Sequence, residues 1–454
     1  MNKKIILGVS LFSTLLLFAQ CKDKPATTPA TTNPIDSLAI SDEALLDSVQ
    51  RRTFNYFWDG AEPVSGMARE RYHVDGVYPE NDQNVVTSGG SGFGIMALIA
   101  GIDRGYITPQ EGHARFDKIL TFLETADRFH GVYPHWWYGD TGKVKGFSDK
   151  DNGGDLVETS FLIQGLLAAH QYYVNGTEAE KTLAKRMDKI WREVEWSWHQ
   201  NGKDVLYWHW SPSASWEMNF AIRGYNECLI TYILAASSPT HSTSAATYHD
   251  GWAEKGAIVE PHQVEGFKLN MRYQGTQAGP LFWAHYSFLG LNPVGLKDKY
   301  ANYFDEMKNY TLINRAYCIR NPKGYTGYGE NSWGLTASYS VDGYAAHEPS
   351  ERGDHGVITP TAALSSIVYT PQESMAVMRN LYAMGNKMWG KYGFYDAYSE
   401  TANWYPQRYL AIDQGPIAVM IENHRSQLLW KLFMSHPDVQ KGLKTLGYES
   451  PELR

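Results

Sequence analysis

The chain has 454 residues, of which 43% are hydrophobic and 20% charged, and its formal net charge is -8. This length suits about three average domains or one large toroid or barrel. The negative balance leaves no basic surface, which argues against nucleic acid as a partner. The unusual feature is the content of 15 Trp and 30 Tyr, many of them in loops that contain Gly and Pro. Aromatic side chains are normally core residues, but in such loops they more often face a ligand.

Residues 1–20 are predicted to be a signal peptide. Lys3 and Lys4 precede an apolar stretch that is too short to cross a bilayer and that ends at Cys21. The run LLFAQC resembles the lipobox of bacterial lipoproteins, in which the cysteine is lipidated after cleavage. Residues 21–40 are Thr- and Pro-rich and are predicted to form a tether. We therefore expect an exported lipoprotein, anchored to the outer membrane through Cys21; an ordinary signal peptide with an incidental cysteine is the alternative.

From Ser41 onward the chain is predicted to be mostly helical, with helices of two kinds. In the first kind, apolar residues form one stripe, which is typical of a helix lying on a core. These surface helices span residues 109–129, 178–196 and 371–389. In the second kind, apolar or small residues occur nearly all round, so the helix should be buried on every side. The buried candidates are residues 90–102, 155–173, 218–236 and 416–433, with 277–289 and 360–369 as shorter ones.

The two kinds mostly alternate, which indicates a repeat. The buried helices begin near residues 89, 155, 217, 277, 360 and 416, a regular spacing typical of repeated helical hairpins. We therefore predict an all-α fold in which residues 41–454 form one (α/α)6 toroid, with six inner and about six outer helices. No outer helix is readable between residues 236 and 276, where a Ser-, Thr- and Gly-rich segment favours an insertion or a hairpin. An open helical solenoid is the alternative.

Connection lengths predict where a cleft should lie. Links from a buried helix to the next surface helix are short, as at residues 105–108 and 175–177. Links into the buried helices are long: 59–88, 130–154, 197–216, 318–359 and 390–415. In an alternating toroid all the long links lie at the end where inner helices begin, and loops of that length are usually functional. The cleft should therefore cover the N-termini of the inner helices.

The aromatic residues are concentrated in these long loops. Flat apolar rings beside hydrogen-bonding groups suit pyranose sugars, which stack through C–H faces and need donors and acceptors for their hydroxyls. Packing in the core is the alternative for any single ring. We predict a carbohydrate cleft with these substrate-binding residues: Trp137, Trp208, Trp216, Tyr328, Glu330, Trp333 and Trp404.

Carboxylates occur at the same end of the predicted helices. Asp155 and Glu158 share a face near the start of a buried helix, Asp151 lies in the preceding loop, and Glu227 occupies a similar position in the next buried segment. Each has a structural explanation: Asp155 as an N-cap, Glu158 as a first-turn acid, Glu227 as a partner of Arg223. Together they predict glycosidic chemistry, in which one carboxyl protonates the leaving oxygen and another activates water or attacks. Glu227 is the candidate acid, and Asp155 or Glu158 the candidate base or sugar anchor.

Other kinds of site find little support. HExxH, P-loop and GxSxG motifs are missing from the sequence. His347–Glu348 and Asp354–His355 match no metal-ligand spacing, so no metal or cofactor is predicted. Cys228 and Cys318 lie in helical, apolar contexts and are expected to be buried free thiols.

Four motifs carry a family resemblance. DNGGDLVETSFLIQGLLAAH, RGYNE, YGENSWGLTAS and DHGVITPTAAL together resemble the glycoamylase-like domain family and, within it, glycoside hydrolase family 144, the bacterial β-1,2-glucan hydrolases. The resemblance covers residues 41–454. It implies an (α/α)6 catalytic domain, an inverting mechanism and hydrolysis of β-1,2-glucan to sophorose or short sophoro-oligosaccharides, with the acidic cluster at Asp151, Asp155, Glu158 and Glu227.

Two other functions remain open from the sequence. A membrane-tethered, non-catalytic glycan-binding protein would need the aromatic residues but no reactive acids. A toroid hydrolase or lyase acting on another glucan linkage is a second alternative. A lyase or an epimerase would favour His or Tyr bases over paired carboxylates. The expected partner is in each case an oligo- or polysaccharide, bound by a monomer.

Overall fold

Helices account for most of the regular structure in the computed structural model, which describes residues 40–273 and 276–454. The α-helices of this part of the chain are α1 Asp42–Trp58, α2 Ser88–Asp103, α3 Pro109–Thr125, α4 Leu156–Tyr173, α5 Glu178–Arg192, α6 Leu229–Ser237, α7 Tyr303–Arg320, α8 Pro360–Leu364, α9 Pro371–Ala383, α10 Ala411–Ser426, α11 Leu428–Met434 and α12 Pro437–Thr445. Two 3₁₀ turns, Leu281–Ala284 and Tyr286–Phe288, lie between α6 and α7.

The strands are short and occur in the connections. They are β1 Arg71–His73, β2 Val85–Thr87, β3 Trp136–Tyr138, β4 Val144–Lys145, β5 Gly154–Asp155, β6 His209–Trp210, β7 Val259–Val264, β8 Phe267–Met271, β9 Ala337–Ser340, β10 Gly343–Ala346, β11 Trp389–Gly390, β12 Gly393–Phe394 and β13 Arg408–Leu410. They form separate antiparallel sheets of two or three strands rather than one continuous sheet.

A closed ring of inner segments forms the core, which confirms the (α/α)6 toroid. α2 contacts α4 on one side and α10 on the other, and the ring continues through α6, the two 3₁₀ turns and α8. Glycines allow the closest approach: a Cβ on Gly92 would lie 2.2 Å from the Phe161 carbonyl oxygen, and one on Gly165 would lie 2.2 Å from the Gly92 carbonyl oxygen. Only residues without a side chain permit this backbone separation.

Outer helices surround this ring. α3, α5 and α9 each bury one apolar stripe, as their sequence patterns predict. α3 and α5 begin with capping boxes at Thr108 and Thr177, which satisfy amides of the first turn. α1, α7 and α12 complete the described outer layer.

Three boundaries differ from the sequence-based expectations. The predicted helix 218–236 begins only at Leu229, because residues 218–228 form turns, bends and isolated bridges, with Ala221 bridged to Tyr207. The predicted helix 416–433 begins earlier, at Ala411, and breaks at Gln427, whose φ of 61° is left-handed. The fourth and fifth inner segments, predicted at 277–289 and 360–369, contain only 3₁₀ turns and the five-residue α8.

The segment without a readable outer helix contains a hairpin, as expected. A π-helical turn at Thr247–Trp252 is followed by the antiparallel pair β7–β8. This pair rests against α7. The expected buried free thiols, Cys228 and Cys318, are also confirmed.

The long connections meet at one end of the toroid. Three inner helices, α2, α4 and α10, each follow directly on a short strand, namely β2, β5 and β13. These strands pair with β3, β6 and β1, which belong to the long connections. The N-termini of inner helices are therefore surrounded by loops, as the connection lengths predict.

The signal peptide, Cys21 and residues 21–39 of the tether lie outside the described residues. Within the part of the chain that the structure describes, no helix is sufficiently long and apolar to span a bilayer.

Candidate active site

Asp155 caps the N-terminus of α4 at the floor of this loop-covered end. Its Oδ1 accepts hydrogen bonds from the amides of Val157 at 3.0 Å and Glu158 at 2.9 Å. The side chain is fully buried. An N-cap carboxylate satisfies orphan amides and is stabilised by the helix dipole, so Asp155 is held in place and in its ionised form.

His135 lies between Asp155 and Glu158. Its Nδ1 is 3.2 Å from Asp155 Oδ2, and its Nε2 is 4.0 Å from Glu158 Oε1. Burial by itself lowers the pKa of His135, but the carboxylates of Glu158 and Asp155 outweigh it and raise the pKa to about 10. For Asp155, burial raises the pKa, and the bond from His135 and the charge of His209 lower it by more. An imidazolium beside an ionised Asp155 is therefore the resting state.

Glu158 is bound by the neighbouring inner helix. The Gly89 amide, in the first turn of α2, donates to Glu158 Oε2 at 2.8 Å. Burial raises the pKa of Glu158 to about 7, against the opposing effect of His135. Oε1 has no contact of this kind, since His135 Nε2 lies 4.0 Å away. The Glu158 carboxyl group therefore has one oxygen fixed by a hydrogen bond and one that can interact with water or substrate.

Asp151 and His209 extend the cluster on the other side of Asp155. The β5–β6 register sets His209 opposite Asp155, and His209 Nδ1 lies 3.3 Å from Asp151 Oδ1 and 3.8 Å from Asp155 Oδ2. Burial lowers the pKa of His209, and the two aspartates overcome this and raise it. One ligand atom from each of Asp151, Asp155 and His209 lies within 4.8 Å of the others. Ion pairing with the histidine accounts for this close approach.

Glu227 is half-buried and precedes α6 by two residues. Burial raises its pKa to about 7, and the charges of Glu158 and Asp155 add to this effect. The sequence offered Arg223 as a structural partner of Glu227. The Arg223 side chain is instead exposed and donates to the Gly251 carbonyl at 3.0 Å. The structure thus brings Glu227 into the electrostatic field of the α4 acids.

A second carboxyl pair, Asp396 and Asp413, was missed by the sequence reasoning. Both side chains are buried, and Asp413 lies in the first turn of α10. Burial raises the pKa of Asp396 to about 6; burial and then Asp396 raise that of Asp413 well above its usual range. Two buried carboxyl groups that interact in this way cannot readily both ionise, so the pair should retain a shared proton. The sequence signal for Asp413, an acid at the start of a buried helix, is the same as that for Asp155.

A cavity of about 300 Å³ adjoins the acids. Its wall includes His135 and, from the strand β1 region, Glu70 and Arg71. The Nε of Arg71 is buried and has no hydrogen-bond acceptor among the described residues. Nothing in the local sequence separates Glu70 and Arg71 from ordinary surface charges, so only the fold reveals them. The remaining lining residues are Trp136, Phe147, Tyr339, Tyr344, Leu410 and Ile412.

The aromatic residues predicted to bind substrate differ in placement. Trp208 is half-buried, follows directly on Tyr207 beside His209, and stacks on Phe220 with centroids 5.3 Å apart. Trp216 is half-buried against Trp198 at 4.6 Å. Trp404 is half-buried against the small cluster that contains Tyr339 and Leu410.

For Trp137 and Trp333 the predicted role in substrate binding is wrong. Both rings are 0% exposed and belong to the core, where Trp137 donates from Nε1 to the Asp127 carbonyl at 3.0 Å. A ring with no accessible face cannot stack on a sugar. Tyr328 is half-buried and donates to Asp354 Oδ1 at 2.7 Å, while Glu330 is exposed in the same loop. No described contact joins either residue to the acids.

Comparisons with known proteins agree with this fold. The glycoamylase family model, described as "Putative glucoamylase", matches residues 219–437. A Bacteroides caccae structure described in the same words is 72% identical, covers 90% of this chain and 100% of its own, and superimposes with a TM-score of 0.90. An endo-β-1,2-glucanase from Chitinophaga pinensis, in complex with sophorotriose and glucose, is 64% identical, with 91% and 100% coverage and a TM-score of 0.91.

A third relative is longer than this chain. An exo β-1,2-glucooligosaccharide sophorohydrolase of Parabacteroides distasonis is 48% identical over 439 residues, which are 92% of this chain and 59% of that protein. The toroid with carboxylates at the starts of its inner helices defines the class of glycoamylase-like proteins. Within this class, the chain belongs to glycoside hydrolase family 144, the bacterial β-1,2-glucanases.

Proposed function

We propose that this protein hydrolyses linear β-1,2-glucan to sophorose or short sophoro-oligosaccharides, with inversion at the anomeric carbon. The observation that carries this proposal is that Glu227 lies close enough to Glu158 and Asp155 to interact with them electrostatically, with the pKa of Glu227 raised to about 7 by burial and then by those two acids. A glycosidase needs one carboxyl group that is protonated near neutral pH and a second that is ionised. The endo- and exo-acting relatives support the choice of β-1,2-glucan.

Glu227 is the general acid. Its pKa near 7 keeps the carboxyl protonated over much of the neutral range, so it can donate a proton to the leaving glycosidic oxygen. Neither Asp155 oxygen is similarly free, because Oδ1 caps α4 and Oδ2 faces His135. Asp155 therefore organises the site and holds His135 as an imidazolium.

Glu158 is the base that activates water. Burial raises the pKa of Glu158 to about 7, as for Glu227, so the assignment rests on the surroundings of the two groups rather than on their pKa values. The Gly89 amide fixes Oε2, the nearby His135 imidazolium opposes the rise in pKa, and Oε1 is left to accept a proton from water. Asp413 is the alternative, since it also lies at the start of an inner helix, but it shares a proton with Asp396 in a fully buried position. Asp151 holds His209 in place.

Activity on a panel of α- and β-linked glucans tests the function. We expect turnover of linear β-1,2-glucan alone, release of sophorose or its oligomers, and initial products of the α-anomer by NMR. Binding without products would instead support a glycan-binding protein. For Glu158→Gly we expect azide to restore turnover and yield an α-glycosyl azide, because azide attacks from the face that water normally uses; azide rescue of Asp413→Gly but not of Glu158→Gly would assign the base to Asp413.

For the N-terminal segment we propose cleavage before Cys21, lipidation of that cysteine and retention at the outer membrane of a monomeric enzyme. The apolar segment that ends at LLFAQC and the Pro-rich residues behind it support this. Membrane fractionation of wild type and Cys21→Ser tests it. Wild type should sediment with outer membranes and Cys21→Ser should be released, whereas equal release of both would contradict the anchor. Light scattering of the protein without residues 1–21 would reveal a dimer if one forms.

A further inference from the structure

The two most exposed aromatic rings among the described Phe, Tyr and Trp residues line the same cavity. Tyr344 is 58% exposed and Phe147 is 54% exposed. Both contribute to the wall of the 300 Å³ cavity beside the acids. A ring in water forgoes the free energy of burying its apolar surface, and isolated cases need no explanation. Two such rings at one cavity indicate a surface that is covered by a ligand.

Tyr344 is carried by a hairpin that is fixed on one side. In β9, the Tyr339 amide donates to Asp396 Oδ2 at 2.9 Å, and the Tyr339 hydroxyl lies 2.7 Å from His73 Nε2. β10 pairs with β9 and sets Tyr344 opposite Tyr339. A Cβ built on Gly343 would find nothing within 4 Å, so there is open space beside the first residue of the strand that carries Tyr344.

The ring of Tyr344 lines the same cavity as Glu70 and His135. No other aromatic ring of the described residues stacks on it, so its faces are available. The surrounding protein and the carboxylates of Asp413 and Glu70 raise the pKa of its hydroxyl well above the usual range. Tyr344 thus lines the cavity while much of its surface stays open to solvent.

Phe147 lies in a part of the cavity wall where its ring packs against other rings. Its ring packs at 4.8 Å against both His135 and Trp136. Arg71 lies over Trp136 at 5.9 Å, and its buried Nε lacks an acceptor among the described residues. The cavity thus combines exposed ring surface with the guanidinium group of Arg71 as a donor and the carboxylate of Glu70 as an acceptor. This is the combination that a pyranose needs.

We propose that Tyr344 and Phe147 form a sugar-binding subsite in which a glucosyl residue next to the cleaved bond packs against Tyr344 while Arg71 and Glu70 bind its hydroxyls. The inference rests on the proposed function and adds a residue that holds the substrate for that reaction. A cavity of 300 Å³ is at the small end of ligand pockets, which suits one short part of a glucan rather than a whole chain.

Kinetics on linear β-1,2-glucan with Tyr344→Ala, Tyr344→Phe and Val341→Ala test this subsite. Val341 is the matched control, because it lies in the turn of the same hairpin and is 45% exposed. We expect Tyr344→Ala to raise KM by about tenfold or more and to change kcat by less than about threefold, since a stacking contact is lost. Tyr344→Phe keeps the ring and should stay within about twofold of wild type, as should Val341→Ala.

Calorimetric titration with a sophoro-oligosaccharide of four glucosyl units separates this idea from the proposed function. Wild type that neither binds this ligand nor cleaves β-1,2-glucan would refute the proposed function. Wild type that does both, with Tyr344→Ala unchanged in KM and in affinity, would refute the subsite alone. Equal effects of Val341→Ala and Tyr344→Ala would also refute it, since a disturbed hairpin would then explain the loss. Phe147→Ala should also lower the affinity for this ligand, and Phe147 lies outside the hairpin.

Discussion

Glu158 on α4 is held by the backbone of Gly89 on α2, through a hydrogen bond of 2.8 Å from the glycine amide to Oε2. The first turn of one inner helix thereby positions the carboxyl group of its neighbour. Amides at a helix N-terminus have no partner within the helix and carry partial positive charge, so they suit a carboxylate. The tight packing of α2 on α4 is therefore part of the catalytic geometry as well as of the core.

Gly89→Ala should reduce activity more than stability. The new Cβ would lie 2.4 Å from Glu158 Oε2, so the carboxyl group must rotate away from its present position. We expect kcat to fall by about 10²-fold, because a displacement of about 1 Å at a reacting group has this effect. Gly92→Ala is the contrast: its Cβ would meet the Phe161 carbonyl oxygen at 2.2 Å and should destabilise the fold by about 1–3 kcal/mol. Thermal melts and kcat of both variants check this; a larger loss of melting temperature in Gly89→Ala would contradict it.

The acids of α4 were predictable from sequence, and the equivalent acid of α10 was not recognised. Asp155 directly precedes a long apolar run, and the helix begins where that run begins. Asp413 lies before Pro416, and because proline is common at the first helical positions, the sequence predicts a helix that begins at residue 416 and leaves Asp413 outside it. The structure starts α10 at Ala411, because β13 pairs with β1 and leads directly into the helix. That pairing joins residues more than 300 positions apart, which local pattern cannot show.

The pH dependence of turnover should report Glu227. Burial, followed by the charges of Glu158 and Asp155, raises the pKa of Glu227 to about 7, and a general acid must be protonated to act. We therefore expect kcat/KM to fall about tenfold for each pH unit above 7. Glu227→Gln should lower kcat by about 10²–10⁴-fold on glucan and by much less on a sophoroside with an acidic phenol leaving group. Equal losses on both substrates would contradict the role as proton donor.

His135 should stabilise the fold in a pH-dependent manner. An unfolded imidazole has a pKa near 6.5, and Glu158 and Asp155 overcome the opposing effect of burial to raise the folded value to about 10. The contribution is therefore complete below about pH 6.5 and is lost as the pH rises through about 10. His135→Asn should cost about 3 kcal/mol at pH 6, with a smaller deficit at pH 10. Urea unfolding at both values measures this.

A matched histidine provides the control for that experiment. His130 is half-buried and pairs with Glu195 at 3.1 Å, away from the acids of α4. His130→Asn should change the unfolding free energy by less than about 1 kcal/mol, because exposed ion pairs contribute little. A deficit in His135→Asn that stays constant between pH 6 and pH 10 would show that packing, rather than charge, sets its effect.

Sequence patterns found the aromatic loops but could not sort their rings. Trp137 and Trp208 both occur in aromatic runs between predicted helices, and only one retains an accessible face. The difference follows from strand pairing, since β3 is the central strand of β2–β3–β4 and sets Trp137 against Phe122 and Tyr133. Likewise, the position of His209 opposite Asp155 depends on a register between distant strands.

Substitution of Trp137 should therefore mainly reduce stability, whereas substitution of Trp208 should mainly weaken substrate binding. Trp137→Ala removes a fully buried ring and leaves a cavity, so we expect a loss of about 3–5 kcal/mol in unfolding free energy. Trp208→Ala removes a half-buried ring next to His209 and should cost about 1 kcal/mol, while raising KM for β-1,2-glucan by about tenfold. Trp137→Phe, which keeps most of the buried volume, should recover part of the stability and keep a KM near that of wild type. A raised KM in Trp137→Phe with unchanged stability would restore Trp137 as a substrate-binding residue, and an unchanged KM in Trp208→Ala would remove Trp208 from the site.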